Sequence, residues 1–219
     1  MPETLAFAEN KLLTVLPRGG EFFTQNIQRI TPADEKKLSF CGACWPEENG
    51  AAIEEIQKRF HQSPQTEQYL ACETAFFTSL PEAAATYALP AEERSKGLRR
   101  YGADGLFHAW IASQFPHTAK LVSIHLSSNT TLAAIRAGKA IDTSAGYSLL
   151  EGLPGLTTCG DIDPSVIFFL KEQGMSAAEI RRLLYTQSGW QTFSQKPLSY
   201  TQLLKSSDKE LELAQAMYF

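Results

Sequence analysis

Apolar positions recur with the period of a helix at two places in the first third of the chain. Residues 31–35, Thr-Pro-Ala-Asp-Glu, supply a hydroxyl that can cap a helix, a proline at the first helical position and acids in the first turn. Asn49 opens a second run, in which Ile53, Ile56 and Phe60 share one helical face. The pattern therefore predicts two helices in this part of the chain.

The spacing of apolar positions changes along the middle of the chain. Residues 69–73 predict a short strand, whereas the alanine-rich run 79–89 predicts a helix that Pro90 ends. Apolar residues at helical spacing predict a further helix over residues 105–115. Three short strands joined by tight turns are then predicted as a meander: 121–126, 131–136 and 139–143.

Helix signals dominate the last third of the chain. Asp163 can cap a helix that starts with Pro164 and ends at Gly174. Ser176 and Glu179 form a capping box for the next helix. A final helix is predicted to carry an apolar stripe formed by Leu211, Ala214, Met217 and Tyr218. Strands and helices together predict the α/β fold class, a mixed sheet with flanking helices.

Composition and charge exclude several classes of protein. The chain has 219 residues and a formal net charge of −4, so it has no basic excess that would attract nucleic acid. No apolar run reaches the roughly 18 residues that a membrane-spanning helix requires. The N-terminus lacks the basic start and apolar stretch of a signal peptide. We therefore expect a cytoplasmic protein with neither nucleic acid nor a membrane as its partner.

Cysteine spacing supplies one alternative function. The chain contains four cysteines, of which Cys41 and Cys44 have the spacing of a redox or zinc half-site. A tetrahedral zinc site needs four ligands, and no second pair follows at a suitable distance. Trp45-Pro46, directly after the pair, favours a turn over a thioredoxin-like helix start. We interpret the cysteines as reduced structural thiols and predict no metal site; a thiol or metal protein centred on Cys41 and Cys44 is the alternative.

A series of short motifs runs in one order along the chain. Residues 18–21 are Arg-Gly-Gly-Glu, residues 72–77 are Cys-Glu-Thr-Ala-Phe-Phe, and residues 99–108 begin Arg-Arg-Tyr-Gly. Residues 125–129 are His-Leu-Ser-Ser-Asn, and residues 142–164 begin Asp-Thr-Ser and end Gly-Asp-Ile-Asp-Pro. In order and in separation these motifs resemble those of the acetate kinase family, which includes propionate and butyrate kinases.

The resemblance implies a fold and an activity. Members of that family have the actin-like/sugar-kinase (ribonuclease H-like) fold, in which two α/β lobes close around ATP and Mg²⁺. The γ-phosphoryl group moves in line to a carboxylate such as acetate or propionate, and cations stabilise the transferring group. By the same resemblance, residues 1–72 are a remnant of the first lobe and residues 73–219 are an incomplete second lobe.

Several positions that the resemblance marks as functional carry other residues in this chain. The two catalytic arginines fall on Val15 and Thr158, and the catalytic histidine falls on Asp104. The catalytic aspartate falls on Glu73, which keeps an acid. The phosphate-binding positions are His125 and a turn that is glycine-rich in the family: Ser127, Ser128 and Asn129. Two lost positive charges and one gained negative charge make the site about three charges more negative.

These replacements predict an acetate-kinase-like protein that lacks phosphotransfer activity, with an interaction or regulatory role or as a decaying paralogue. The family's first phosphate-binding strand and its adenosine-binding segment have no counterpart in the sequence. Unpaired strand edges and the final apolar stripe therefore predict a homo-oligomer or a complementing fragment as partner. The alternative is an active short-chain carboxylate kinase that uses ATP and Mg²⁺ on acetate or propionate, with Glu73 as its acid.

Overall fold

The computed structural model describes residues 10–117, 119–194, 199–207, 211–212 and 215–216 in full, and residues 4–8 as backbone. By packing, the chain divides into two compact units. The first unit comprises residues 1–123 and 133–143, and the second comprises residues 124–132 and 144–219. The lobe boundary expected after residue 72 stays a prediction.

The secondary structure is mixed α/β, as predicted. The strands are β1 (Thr4–Ala8), β2 (Lys11–Leu16), β3 (Ile27–Ile30), β4 (Glu67–Cys72), β5 (Lys120–His125), β6 (Thr131–Arg136) and β7 (Lys139–Thr143). The α-helices are α1 (Glu35–Cys44), α2 (Pro46–Gln62), α3 (Glu82–Ala85), α4 (Ala91–Arg94), α5 (Gly105–Gln114), α6 (Ser165–Glu172), α7 (Ala177–Thr186) and α8 (Tyr200–Lys205). Short 3-10 helices cover Pro32–Asp34, Glu73–Ser79 and Trp190–Phe193. Within the described ranges, no helix is long and apolar enough to cross a bilayer.

The first unit contains a four-stranded sheet of order β1-β2-β4-β3. β2 and β4 are parallel, with Val15 opposite Ala71, whereas β1 and β3 pair antiparallel with their neighbours. β4 confirms the strand predicted at residues 69–73. The sequence pattern does not predict β1, β2 or β3, because an apolar run as short as residues 12–16 cannot be told from part of a buried helix by its spacing alone.

The two helices predicted in the first third of the chain are confirmed, with shifted starts. The Thr31 N–H donates to the Asp34 carboxylate at 3.1 Å, and the 3-10 helix at this cap leads into α1. α2 begins at Pro46, earlier than the pattern indicates, and buries Ile53 and Ile56 on one face. The apolar spacing therefore locates the helices better than it locates their ends.

The chain bends directly after the cysteine pair, at Trp45-Pro46, as the sequence predicts, although Cys41 to Cys44 themselves are helical. These residues form the last turn of α1, and the helical backbone breaks one residue later, at Trp45, with φ −132° and ψ 63°. Pro46 can start a new helix there because its missing N–H is not needed in a first turn. The completely buried Asn49 supports this break, since its Nδ2 donates to the Cys41 carbonyl at 3.1 Å.

The helix predicted over residues 79–89 is wrong. Only the four residues of α3 are helical, and Thr86 after them is extended, with φ −97° and ψ 129°. Thr86 forms an isolated antiparallel bridge with Arg99. A backbone partner further along the chain thus overrides the helical preference of the alanines.

The predicted meander is confirmed by a second sheet of order β5-β6-β7, and the helix predicted at residues 105–115 is α5. In the first unit this region forms one apolar cluster of Phe77, Leu80, Ala85, Ala112, Ala133, Ile135 and Ala140. His108 on α5 is fully buried, and its Nδ1 lies 2.8 Å from the Ser123 hydroxyl. A histidine satisfied in this way belongs to the packing of the unit.

The first two helices predicted in the second unit are confirmed together with their caps. Asp163 accepts the Ser165 N–H at 2.8 Å at the start of α6, and Gly174 ends this helix with φ +91°. In α7 the Glu179 N–H donates to the Ser176 hydroxyl at 3.2 Å, while the Ser176 N–H donates to the Glu179 carboxylate at 2.8 Å. Accepting these backbone N–H groups lowers the pKa of both carboxyl groups, because the charged form is the better acceptor.

Packing is uneven in the second unit. Trp190, Leu203 and Leu211 form a buried cluster, so the predicted final stripe is packed at its first residue. The other residues of that stripe lie outside the described residues: Ala214, Met217 and Tyr218. No side chain of α6 is fully buried, and Phe168 and Phe169 are 66% and 58% exposed. α6 therefore presents an apolar surface to solvent.

Candidate functional site

The predicted catalytic acid lies at the N-terminus of a helix. Glu73 follows β4 directly, and its Oε2 accepts the Leu106 N–H at 2.9 Å in the first turn of α5. A Cβ on Gly105 would lie 1.9 Å from the Glu73 carbonyl oxygen, so this close approach requires glycine. The carboxylate of Glu73 therefore satisfies a helix N–H that would otherwise lack a helical partner.

A second predicted site residue, Asp104, precedes the same helix. It is the N-cap residue of α5, yet its side chain makes no capping hydrogen bond, and its backbone is left-handed with φ 54° and ψ 32°. The capping role that aspartate commonly has is thus taken by Glu73. Val15, the remaining predicted position in the first unit, is a half-buried residue of β2 opposite Ala71 and contributes no charge.

The second unit brings two predicted positions together. The Thr158 hydroxyl donates to Asn129 Oδ1 at 2.9 Å and accepts the Gly155 N–H at 3.1 Å. Thr158 is 4% exposed, so these partners take the place of water. The position that the resemblance gives to an arginine therefore carries a buried hydroxyl that bonds to the predicted phosphate turn.

The rest of the predicted phosphate turn is also engaged in bonds within the unit. The Ser127 hydroxyl donates to the Asn129 carbonyl at 2.8 Å, and the Ser128 carbonyl accepts the Leu156 N–H at 2.6 Å. His125 precedes the turn as the half-buried last residue of β5. The turn is thus stabilised by hydrogen bonds within its own unit.

Replacing Thr158 tests how much this bonded arrangement contributes to stability. We expect Thr158→Val to lower the free energy of unfolding by about 1–3 kcal/mol, because it leaves Asn129 Oδ1 without its hydroxyl donor. The Gly155 N–H keeps its bond to the Thr158 backbone carbonyl at 3.0 Å. Thr158→Ser keeps the hydroxyl and is the matched control, with a smaller loss. Urea unfolding of both variants measures the difference; equal losses would contradict this account.

Arg18 is the arginine closest in sequence to the replaced position Val15, but its charge is compensated inside the first unit. It is 1% exposed, and its guanidinium donates to the Glu48 carboxylate and to the Gly102 carbonyl. The Arg18 N–H donates to Asn49 Oδ1 at 2.9 Å, and Asn49 Nδ2 returns a bond to the Arg18 carbonyl at 2.8 Å. Sequence reasoning did not find this buried ion pair, since nothing in the spacing of Arg18 and Glu48 marks them as partners.

The thiol alternative receives little support from the position of Cys41. Its side chain is fully buried, and its Sγ lies 3.6 Å from the Gly19 carbonyl oxygen. Burial raises the pKa of the Cys41 thiol to about 12, because the thiolate would lose its hydration. Cys44 is half-buried. Within the described ranges, no group of three or more histidine, cysteine or acidic side chains is placed to hold a metal ion.

The raised pKa of Cys41 predicts slow alkylation in the folded protein. At pH 8 we expect the rate at which iodoacetamide alkylates Cys41 to be lower in the native chain than in the urea-unfolded chain by roughly tenfold or more, since the thiolate is the reactive form. A thiol whose pKa is raised on folding stabilises the folded state at pH values below the pKa that the thiol has in the unfolded chain. The stabilisation from Cys41 should therefore be lost as the pH rises from 9.0 towards about 12. Peptide mass mapping of labelled protein measures the rate; similar rates in both states would contradict the prediction.

Comparison with solved structures gives the class of fold. A crystal structure of a propionate kinase from Francisella tularensis matches with a TM-score of 0.84 and 30% identity, covering 93% of this chain and 55% of that one. A crystal structure of Porphyromonas gingivalis acetate kinase matches with a TM-score of 0.78 and 31% identity, covering 94% of this chain and 54% of that one. The chain is thus part of an actin-like ATPase fold, as the motifs predict.

Sequence comparison identifies the family. The profile of the acetokinase family matches residues 15–219. The acetate kinase of Shewanella oneidensis is 33% identical over 210 residues, which cover 85% of this chain and 52% of the relative. The chain belongs to the acetokinase family, and it spans about half the length of the curated relatives it matches.

Proposed function

We propose that this acetokinase-family chain does not by itself transfer the phosphoryl group of ATP to a carboxylate. The observation that carries the proposal is the state of Thr158, a position at which the resemblance implies a catalytic arginine. Its hydroxyl is buried and donates to Asn129. A neutral hydroxyl held in this way supplies no positive charge to a transferring phosphoryl group.

The charges at the other predicted positions support the same conclusion. Glu73 is hydrogen-bonded to the first turn of α5, and Asp104, the residue before that helix, adds a second acid. Arg18 directs its guanidinium to Glu48 and the Gly102 carbonyl. An arginine that stabilises a transferring phosphoryl group is commonly worth a factor of about 10³–10⁵ in rate, and losses within one site do not simply add.

An acyl-hydroxamate assay tests the proposal directly. The purified chain is incubated with Mg-ATP, hydroxylamine and acetate, propionate or butyrate, with Glu73→Gln as the matched control. The expected result is no product above that control for any of the acids. Product formation that Glu73→Gln abolishes, or a micromolar affinity for Mg-ATP by isothermal titration calorimetry, overturns the proposal.

An active carboxylate kinase is the second candidate, and Glu73 is the observation that favours it. The side chain keeps a carboxylate at the predicted catalytic position and is half-buried. In this case ATP and Mg²⁺ would be used on acetate or propionate, and the acid would be essential. The assay above separates the two candidates, because only an active enzyme gives a difference between the native chain and Glu73→Gln.

An interaction role follows from the exposed surface of α6. Phe168 and Phe169 are each more than half exposed, which is unusual for adjacent aromatic side chains in a helix that has no fully buried residue. We propose that a second copy, or a fragment that completes the family fold, covers this helix. Sedimentation velocity of the native chain and of Phe168→Ser tests self-association: a concentration-dependent larger species that the substitution abolishes is the expected result, and a monomer throughout excludes the second copy.

A further inference from the structure

The first unit contains a cavity of about 340 Å³. It is lined by Gly20, Glu21, Thr24, Thr74, Phe77, Thr78, Arg99, Arg100 and Tyr101. None of the three predicted site positions in this unit, Val15, Glu73 and Asp104, is among those lining residues. Its volume lies at the small end of the roughly 300–1,000 Å³ that ligand pockets have, so it suits a small molecule better than a nucleotide.

In the part of the chain that the structure describes, Arg99 is the arginine of this cavity that has no counterion. The Arg99 guanidinium lies 5.8 Å from the centroid of the Tyr101 ring, and its Nε is buried with no hydrogen-bond partner. Among the described residues, no carboxylate lies within ion-pair distance of it. Arg100 differs, because its guanidinium donates to Asp142 at 3.1 Å and to the Ala84 carbonyl at 3.3 Å. Arg99 is therefore the cation available to a ligand.

A carboxylate is also available in the same cavity. Glu21 is exposed, and among the described residues it has no ion pair or hydrogen bond to a neighbour. A Cβ built on Gly97 would lie 3.8 Å from Glu21 Oε2 and 3.2 Å from the Tyr101 hydroxyl oxygen, so these two oxygens lie against the same residue. The cavity thus combines one unpaired positive and one unpaired negative side chain.

Two of the hydroxyl groups in the wall, those of Tyr101 and Thr78, present oxygen lone pairs more readily than protons. Tyr101 donates its proton to the Gly97 carbonyl at 2.9 Å, and Thr78 donates its proton to the Ala75 carbonyl at 2.8 Å. Each oxygen can still accept a bond from a ligand. Together with Glu21 these groups form an acceptor-rich wall, which a simple anion would not satisfy but a ligand with N–H donors would.

We infer that this cavity binds a small zwitterion of the α-amino acid class. The ligand carboxylate pairs with the Arg99 guanidinium, whose planar fork matches a carboxylate. The ligand ammonium pairs with Glu21 and donates to the Tyr101 and Thr78 oxygens. Neither charged group of the protein then remains without a partner. The inference is independent of phosphotransfer, since it uses none of the positions at which the family's catalytic residues fall.

Three related probes test the two charges separately. L-Alanine carries both groups, propionate lacks the ammonium, and ethylamine lacks the carboxylate. Titrations of the full chain followed by NMR or calorimetry are expected to give an affinity for L-alanine at least roughly tenfold higher than for either other probe. Equal affinities for L-alanine and propionate, or no binding of L-alanine in the millimolar range, overturn the inference.

Matched variants assign the binding to the cavity. Arg99→Gln and Glu21→Gln are each expected to weaken L-alanine binding by roughly tenfold or more, whereas Arg99→Lys keeps part of the affinity. Arg136→Gln and Glu92→Gln, at exposed positions that do not line this cavity, are the controls and should bind as the native chain does. Circular dichroism verifies that every variant is folded. If the control variants lose as much affinity as the cavity variants, the site lies elsewhere.

Discussion

Replacing Glu48 with glutamine is expected to lower the free energy of unfolding by about 3–5 kcal/mol, because it leaves the Arg18 charge buried without a counterion. The two side chains are 4% and 1% exposed, so water cannot take the place of the lost carboxylate. The Gly102 carbonyl accepts only part of the Arg18 donor capacity, and Arg18 Nη2 already has no partner. Urea unfolding followed by circular dichroism measures the change.

A surface ion pair gives the matched control for this substitution. Glu93 pairs with Lys96 at 2.7 Å, and the Lys96 and Glu93 side chains are 56% and 42% exposed. Glu93→Gln is expected to change stability by no more than about 1 kcal/mol, because solvent already screens that pair. A loss in Glu48→Gln as small as in Glu93→Gln would mean that water reaches the buried pair, which would contradict its described burial.

Substituting Gly102 with alanine is expected to lower the free energy of unfolding by about 2–5 kcal/mol. A backbone penalty and a packing penalty contribute to this loss. The φ of +74° places the residue in the left-handed region, which costs an alanine about 1–2 kcal/mol. The new Cβ would also lie 2.3 Å from the Phe77 ring, and overpacking of this kind typically costs a further ~1–3 kcal/mol. Thermal and urea unfolding of the variant measure the sum.

The matched variant Gly138→Ala distinguishes the backbone penalty from the packing penalty. Its φ of +76° is almost that of Gly102, but a Cβ there would meet no atom within 4 Å. Gly138→Ala should therefore show the backbone penalty alone, about 1–2 kcal/mol. If both alanine variants lose the same stability, the Phe77 ring yields without cost and the packing contribution is absent.

Local signals in the sequence predicted the parts of the fold that depend on neighbouring residues. The Ser176–Glu179 capping box and the Asp163 cap are present as predicted, because each joins groups two or three residues apart. The prediction of a helix at residues 79–89 was wrong because Thr86 pairs with Arg99, and no local pattern in the sequence indicates this pairing. The position of a helix or strand follows from local chemistry only where no distant backbone competes for it.

The same distinction holds for the candidate site. Motif comparison indicates which positions depart from the family, because it needs only residue identity and order. What these residues do in the fold could not be predicted, since the Thr158–Asn129 bond spans 29 residues and the Glu73–Leu106 bond spans 33. Nothing in the sequence indicates that the replacement residues bond to the same chain; this requires the tertiary arrangement.

The parallel pairing of β2 with β4 has a consequence for synthesis of the chain on the ribosome. The partners of Lys11 to Leu16 are Glu67 to Cys72. Synthesis must therefore extend the nascent chain by more than fifty residues after β2 before the two strands can pair. During that interval the apolar residues of β2 lack their parallel neighbour, and pairings between distant residues also form slowly. Translation speed and chaperone supply should therefore affect the soluble yield of this protein more than they affect a protein built from local helical hairpins.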